Sequence, residues 1–489
     1  MRTLVIGLDC AAPELVFGDE RLSNLRRLME LGCWGRLESV NPPITVPAWL
    51  CMATSQDPGS VGVYGFRNRA DYSYGGLTTA NSRSVGEITI WDQLAREGGQ
   101  SILLGVPPSY PPRRVNGISV GCFLTPDPSR NPYTHPARIQ EEIAGLVGEY
   151  QVDVKEYRTN QKERLRDEIY AMSQQHFKVA RHLLSNHPWD YFQMVEIGLD
   201  RLQHGFWQYQ DPQHVLYEPG NQYEEVLRDY YQYLDEEIGE LLGLLDEDVV
   251  VVVLSDHGAQ RLDGGFCVNQ WLVEEGLLAL EEYPQQVSSF GQLKVDWGKT
   301  RVWSEGGYYA RVFFNVKGRE PEGVIPASEY ESFREEMKAK FEGLVDDQGE
   351  PLRTKVYVPE EIYRKVNGVA PDLIVHFGEL YWRSIGSVGH GRLHLQENDT
   401  GPDGCNHALY GSFILAGGKS PLRGEVQGAR LLDVAPTLLE LGGYEIPASM
   451  QGESLVRGQA LTEGVGEAAL SPDDEETIRQ RLSGLGYIS

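Results

Sequence analysis

The sequence predicts an α/β fold built on a mostly parallel central sheet. Continuous apolar runs at 3–8 (TLVIGL), 101–106, 191–197, 248–255 and 411–416 have the length and unbroken hydrophobicity of strands buried on both faces. Helix-period segments separate them, near 22–31, 88–97, 137–146, 163–185 and 222–245. Strands and helices alternating in this way make βαβ units and a helix-covered sheet. Chemistry-bearing residues also follow three of the runs: Asp9, Asp200 with His204, and Asp256 with His257. In open parallel sheets, ligands gather just beyond the carboxyl ends of the strands.

The elements follow from local pattern. Leu22, Leu25, Leu28 and Met29 share one helical face, and Gly32 ends that helix. Between 262 and 400 the pattern changes to Gly- and Pro-rich stretches, short strands and one helix near 328–343. An inserted α+β subdomain, a cap or lid, accounts for the change. VAPTLLELGG at 434–443 returns to the core as a helix. The expected organisation is a catalytic core of 1–261 with 401–460, an insertion of 262–400 and a tail of 461–489. The polar, amphipathic stretch from 473 is expected to dock on the surface.

A chain of 489 residues exceeds a single ordinary core, and 41% hydrophobic residues supply apolar mass for one large domain with an addition. The net charge of −27 excludes a general nucleic-acid binder, which needs a basic face to displace counterions. An anionic substrate must then be attracted locally, by metal or a few arginines. The six cysteines are scattered without a CxxC pair, so free thiols in a reducing compartment are expected. The N-terminal apolar stretch is too short for a secretory signal, and no window is apolar for the ~18 residues of a membrane span. The expected location is cytoplasmic.

Asp200 and His204 lie four residues apart, on one face of a helix, so both can reach one ion. The same pair also reads as a solvated helical ion pair. Asp256 and His257 converge only if the strand has ended, and Gly258 permits a bend there; an Asx-type turn is the bland alternative. His407 sits in a Gly-flanked loop before the 411–416 run, with His390 and His394 as rivals. Thr45 heads a helix with Pro47 in its first turn and reads either as a simple cap or as a nucleophile at a helix N-terminus. A threonine hydroxyl needs a metal to lower its pKa before it can attack. Downstream, Asn68, Arg67 and Arg69 are candidate contacts for phosphate oxygens, although a solvated basic loop explains the arginines equally well. Trp303, Tyr308 and Tyr309 are candidates to stack a base, with core packing the commoner fate of such aromatics. Three carboxylates, three imidazoles and one hydroxyl suit two divalent ions and a nucleophile between them.

Taken in order, GLD at Asp9, PPITVPAW at Thr45, GLDRLQH at Asp200–His204, LSDHG at Asp256–His257 and GCNHALYG at His407 resemble the alkaline phosphatase superfamily. Within it, they look most like the type I phosphodiesterase/nucleotide pyrophosphatase family. The resemblance runs from the first strand to the LLDVAPTLLELGG segment. It implies a three-layer α/β/α sandwich and a hydrolase of small phosphate esters, nucleotides among them. One metal would be held by Asp9, Thr45, Asp256 and His257, and the other by Asp200, His204 and His407. Thr45 would form a covalent phosphothreonine, and Asn68 would help cradle a phosphate oxygen. Zinc is the first expectation for the metal, with manganese second. The chain departs from similar proteins at Ser60-Val61-Gly62, where they often carry His-Gly. A sulfatase is disfavoured because TVPAW stands where CxPxR is required. A phosphomonoesterase or phosphomutase of the same superfamily, or a non-catalytic binder of metal or phosphate, remain the alternatives.

Overall fold

Thr3–Leu8, buried at every position, lies near the middle of a ten-stranded sheet in the computed structural model, which describes residues 2–418 and 420–457. The strand order across the sheet is 424–425, 33–38, 410–417, 250–254, 3–8, 191–196, 101–104, 117–120 and 134–135, with 429–430 pairing beside 33–38. The five strands from 250–254 to 117–120 are parallel to their neighbours within that set, while Tyr410–Gly417 runs antiparallel to both of its own. The sheet is thus mostly parallel, as the apolar runs predict.

Side-chain alternation along the first strand creates the layers. Leu4, Ile6 and Leu8 pack into one core with residues of the helices Lys162–Asn186, Gly198–Gln210 and Val226–Leu242. Val5 points the other way, into a second core with Ala48, Trp49, Met52, Leu438 and Leu439. That second layer joins the Thr45–Thr54 helix to the Val434–Gly442 helix, which accounts for the apolar pattern of the 434–443 segment.

Within 262–400, the strands Val302–Glu305, Ala310–Phe314, Leu373–His376 and Lys355–Tyr357 form a separate antiparallel sheet. Its helix Tyr330–Glu342 buries Phe333, Met337 and Phe341 in a core of its own. Near the main sheet, Gly258–Arg261 pairs antiparallel with Cys405–Ala408. His407 therefore sits in a strand rather than the expected loop, because this pairing extends the chain there. No described helix is long and apolar enough to cross a membrane. All six cysteines are buried and free. The tail from 461 lies outside the described residues.

Candidate metal centre

Strand register brings the first acids together. Gly7 pairs with both Val195 and Leu254, so Asp9 and Asp256 emerge two residues beyond a shared rung. Gly7 is required by a close approach: a Cβ there would lie 2.4 Å from the Trp49 ring. The space lets Trp49 Nε1 donate to Asp9 Oδ2 at 2.7 Å. Cys10 turns the chain with φ of +68°, and its amide donates to Asp256 Oδ1 at 3.3 Å. The other oxygens, Asp9 Oδ1 and Asp256 Oδ2, are buried and accept no hydrogen bond. They lie 3.7 and 3.4 Å from His257 Nε2. His257 Nδ1 faces the Gly258 carbonyl at 3.1 Å. A carbonyl only accepts, so Nδ1 carries the proton and Nε2 presents a lone pair. Thr45 Oγ1 lies 3.3 Å from the same Nε2.

The second group is built in the same way. The Gly198–Gln210 helix places Asp200 and His204 on one face, and the strand Cys405–Ala408 adds His407. Asp200 Oδ1, buried and without a hydrogen bond, lies 3.4 Å from His204 Nε2 and 3.8 Å from His407 Nε2. His204 Nδ1 is held by Asp403 at 2.8 Å and His407 Nδ1 by the Pro43 carbonyl at 2.9 Å. Asp200, His204 and His407 form one cluster whose ligand atoms all lie within 4.8 Å of one another, and Asp9, Asp256 and His257 form another. His257 and His407 stack at 3.9 Å between ring centroids, so the two groups adjoin.

Electrostatics agree with a cation site. Burial, and then the Asp200 charge, push the Asp9 carboxyl up; burial and then Asp9 do the same to Asp256. Burial also opposes ionisation of Asp200, but His204 and Arg201 outweigh it and hold that carboxyl well below its usual range. Burial takes His257 down to about 4 and, with His257 beside it, pushes His407 well down. Burial opposes a charge on His204 too, yet Asp403 and Asp200 raise it well above the usual imidazole range. Around His257 Nε2, two bare carboxylate oxygens and a ring lone pair converge, and the Thr45 hydroxyl contacts the ring nitrogen alone. Around His204 and His407, one carboxylate oxygen and two ring nitrogens share at most one proton between the nitrogens. Acceptors packed in this way repel one another unless cations lie among them, so the donor set fits two divalent ions. Cys10 is close by, but its Sγ donates to the Gly258 carbonyl at 3.5 Å and burial raises its thiol, so oxygen and nitrogen donors dominate.

The structure brings Asp9, Thr45, Asp200, His204, Asp256, His257 and His407 together, with Asn68 next to Arg67, which lines the cavity over Thr45. Asn68 Oδ1 accepts from Tyr64 N at 2.7 Å and its Nδ2 donates to the Gly65 carbonyl at 3.0 Å, which orients the amide and leaves its second N–H to spare. Arg69 is no solvated loop residue: it is buried beside Glu320 at 3.3 Å. His390 bonds Ser387, and His394 packs on Phe266, away from both clusters. Trp303 and Tyr309 are buried but each lines a hollow, Tyr309 the one over Thr45, whereas Tyr308 stacks on His407 at 4.3 Å and on His204 at 5.0 Å. Thr45 is the first residue of its helix rather than the cap, which is Ile44, so its hydroxyl is free to face His257. Sequence reasoning missed Asp403, which holds His204 and pairs with Arg158 at 2.8 Å. It also missed Trp49 as the partner of Asp9. Neither carries a local signal, since both act through contacts made only in the folded chain. A cavity of about 310 Å³ lies over Thr45, Asp200 and His407, with Tyr308 and several arginines in its wall.

Comparison with known proteins places this architecture in a family. The model of the type I phosphodiesterase/nucleotide pyrophosphatase family matches residues 3–403. The chain belongs to that family, and membership places it among the phosphoric ester hydrolases. Solved structures share the fold, which is alkaline-phosphatase-like. Phosphonoacetate hydrolase from Sinorhizobium meliloti 1021, in complex with phosphonoformate, superposes with a TM-score of 0.59 at 16% identity, covering 91% of this chain and 95% of that one. Human ectonucleotide pyrophosphatase/phosphodiesterase 5 gives 0.52 at 13% identity, with 93% and 97% covered. Its murine counterpart, as an inactive threonine-to-alanine variant with AMP, gives 0.55 at 13% identity, with 94% and 99% covered. No protein of curated function matches the sequence.

Proposed function

We propose that the protein is a two-metal phosphodiesterase or pyrophosphatase in which Thr45 is the nucleophile. The observation that carries the reading is the convergence of three bare, buried carboxylate oxygens, three imidazole Nε2 atoms and the Thr45 hydroxyl. Asp9, Thr45, Asp256 and His257 would hold one ion, and Asp200, His204 and His407 the other. Bound there, the ions supply Lewis-acid stabilisation of phosphoryl oxygens and lower the pKa of the threonine hydroxyl. Zinc suits the nitrogen and oxygen donors, and manganese is second.

The residues of the chain supply the rest. Thr45 heads a fully buried helix and lines the cavity, so a phosphate there would meet the positive end of that helix. Thr45 Oγ1 bonds to phosphorus as the ester oxygen leaves, giving a phosphothreonine that water then cleaves. Asp403 fixes the His204 ring, and the Pro43 and Gly258 carbonyls fix His407 and His257. The arginines of the cavity wall offset substrate charge in a strongly acidic chain. AMP in the murine relative makes a nucleotide a reasonable substrate, and the inactivity of its threonine-to-alanine variant supports Thr45. A cytoplasmic location is proposed from the unpaired, buried cysteines.

The test is turnover of bis(p-nitrophenyl) phosphate, p-nitrophenyl phosphate and a nucleotide panel with Zn²⁺ or Mn²⁺, for the native chain and Thr45→Ala. The expected result is diester turnover that falls at least 10³-fold in the variant, the scale of losing an activated nucleophile. Full activity in Thr45→Ala removes the nucleophile, and preference for the monoester makes the protein a phosphatase.

A further inference from the structure

Five arginines and a single carboxylate line the cavity over Thr45: Arg67, Arg158, Arg201, Arg311 and Arg383, with Asp200. In a chain of net charge −27 this is a local reversal of sign. Four of the five are engaged. Arg201 holds Asp153 at 2.9 Å and also Asp200. Arg158 holds Asp403 at 2.8 Å. Arg311 donates to the Arg67 carbonyl. Arg67 is largely exposed and lies 3.6 Å from Glu305.

Arg383 differs. It is 5% exposed, and both its Nε and its Nη1 are buried without a hydrogen-bond partner. Its nearest carboxylate, Asp403 Oδ2, is 3.8 Å from Nη1 and already accepts from Arg158. The guanidinium also lies 5.5 Å from the centre of the Tyr308 ring, the ring that stacks on His407. A buried guanidinium with open donors is costly to the free protein unless a ligand completes it. Its place in the wall says where that ligand lies. Arg383, Arg67, Gly306 and Gly307 line both the cavity over Thr45 and a second hollow of about 770 Å³ in which Tyr74, Trp297 and Trp303 stand.

We infer that Arg383 is a specificity residue that binds a second anionic group of the substrate, a phosphate or a carboxylate, beyond the phosphoryl group attacked by Thr45. The inference rests on the hydrolase reading of the neighbouring site. It defines the substrate as one with a second charged portion that extends from the metal centre toward the second hollow. A planar guanidinium suits either anion, because its N–H pairs match two oxygens at once.

The test is calorimetric, in buffer containing Zn²⁺, with inorganic phosphate, inorganic pyrophosphate and phosphonoacetate as probes of one anion, two phosphates, and a phosphonate with a carboxylate. The native chain is expected to bind at least one two-anion probe more than tenfold more tightly than phosphate, and the better probe tells phosphate from carboxylate. Arg383→Met should remove that gain, and Arg383→Lys should keep part of it. Using the ratio of affinities cancels any general disturbance through Asp403. No gain in the native chain, or the same gain in Arg383→Met, overturns the inference. If the gain is present but no nitrophenyl ester is turned over, the subsite stands and the hydrolase reading fails. Ester turnover without the gain means that the protein is a hydrolase and Arg383 binds no second anion.

Discussion

His204 and His407 face each other through their Nε2 atoms at 3.3 Å, while each Nδ1 is anchored on an acceptor, the Asp403 carboxylate and the Pro43 carbonyl. With both Nδ1 atoms committed as donors, only a proton or a cation between the Nε2 atoms keeps two lone pairs from opposing each other. Against the effect of burial, Asp403 and Asp200 raise the His204 imidazole well above its usual range, so a proton there and a bound cation would compete. Metal analysis at neutral pH is expected to find two divalent ions per native chain and one in His407→Ala. Metal affinity should weaken as pH falls. Zn²⁺ at a hundred times its dissociation constant should raise the unfolding free energy by about 3 kcal/mol, reversibly on adding chelator. An unchanged melting curve with and without Zn²⁺ would count against the site.

Asp256→Asn is expected to stabilise the metal-free chain while weakening metal binding. The native carboxylate is buried beside Asp9 with one oxygen unpaired, and an amide at that place removes like-charge repulsion. The gain should be about 1–2 kcal/mol, the usual scale on which functional groups burden stability. The pH dependence follows from the raised folded-state pKa values of Asp9 and Asp256. The folded chain then holds these protons more tightly than the unfolded one. Their contribution is fully present below the ordinary carboxyl range and is lost as pH rises through the raised values. Denaturant titrations of metal-free protein at several pH values should show this loss, and the variant should show less of it.

Asp403→Ala should act through position rather than chemistry. Asp403 touches His204 Nδ1 and draws Arg158 and Arg383 around it, without belonging to either metal cluster. Losing a partner that orients a metal-binding histidine typically costs 10–100-fold in metal affinity. Competition with a Zn²⁺ indicator should register that loss, with turnover recovering at saturating metal. Failure to recover would mean that Asp403 does more than hold the ring.

Lys162 sets a slope in the alkaline range. It is buried, donates to the Gly205 carbonyl at 2.8 Å on the helix of Asp200 and His204, and burial lowers its pKa from 10.5 to about 8. Between those values the unfolded chain binds the proton and the folded chain does not. The cost of burying the charge is therefore full below pH 8 and relieved as pH rises toward 10.5, so this residue makes stability increase with pH over that window. The effect should be on the order of 3 kcal/mol. Lys162→Met should raise stability at pH 7 and flatten the slope; an identical pH profile in the variant would refute this account.

Several elements are legible before folding because their signal is local. The runs at 3–8, 191–197 and 248–255 become the strands Thr3–Leu8, Tyr191–Glu196 and Val250–Leu254, since a stretch made almost wholly of apolar residues has one economical place to go. The Asp200–His204 spacing sits on a helix, as its period requires. Cys33–Glu38 is harder to see: it alternates buried with more open positions and carries Gly35 and Arg36 midway, a weak pattern toward the edge of a sheet. The strand around His407 is invisible locally because its partner, Gly258–Arg261, lies about 150 residues earlier.

By itself, then, the sequence determined the strands and helices, the kinds of donor available and their arrival beyond strand ends, because hydrophobic period and side-chain chemistry are properties of short stretches. The tertiary structure decided which oxygens stay bare, which ring nitrogens point inward, that the Asn68 amide is oriented by its own loop and that Arg383 is buried with two nitrogens unpartnered. Those outcomes depend on contacts between residues tens to hundreds of positions apart, such as Trp49 with Asp9, Asp403 with His204 and Pro43 with His407. Only packing fixes such contacts, since a side chain's direction is set by what closes around it.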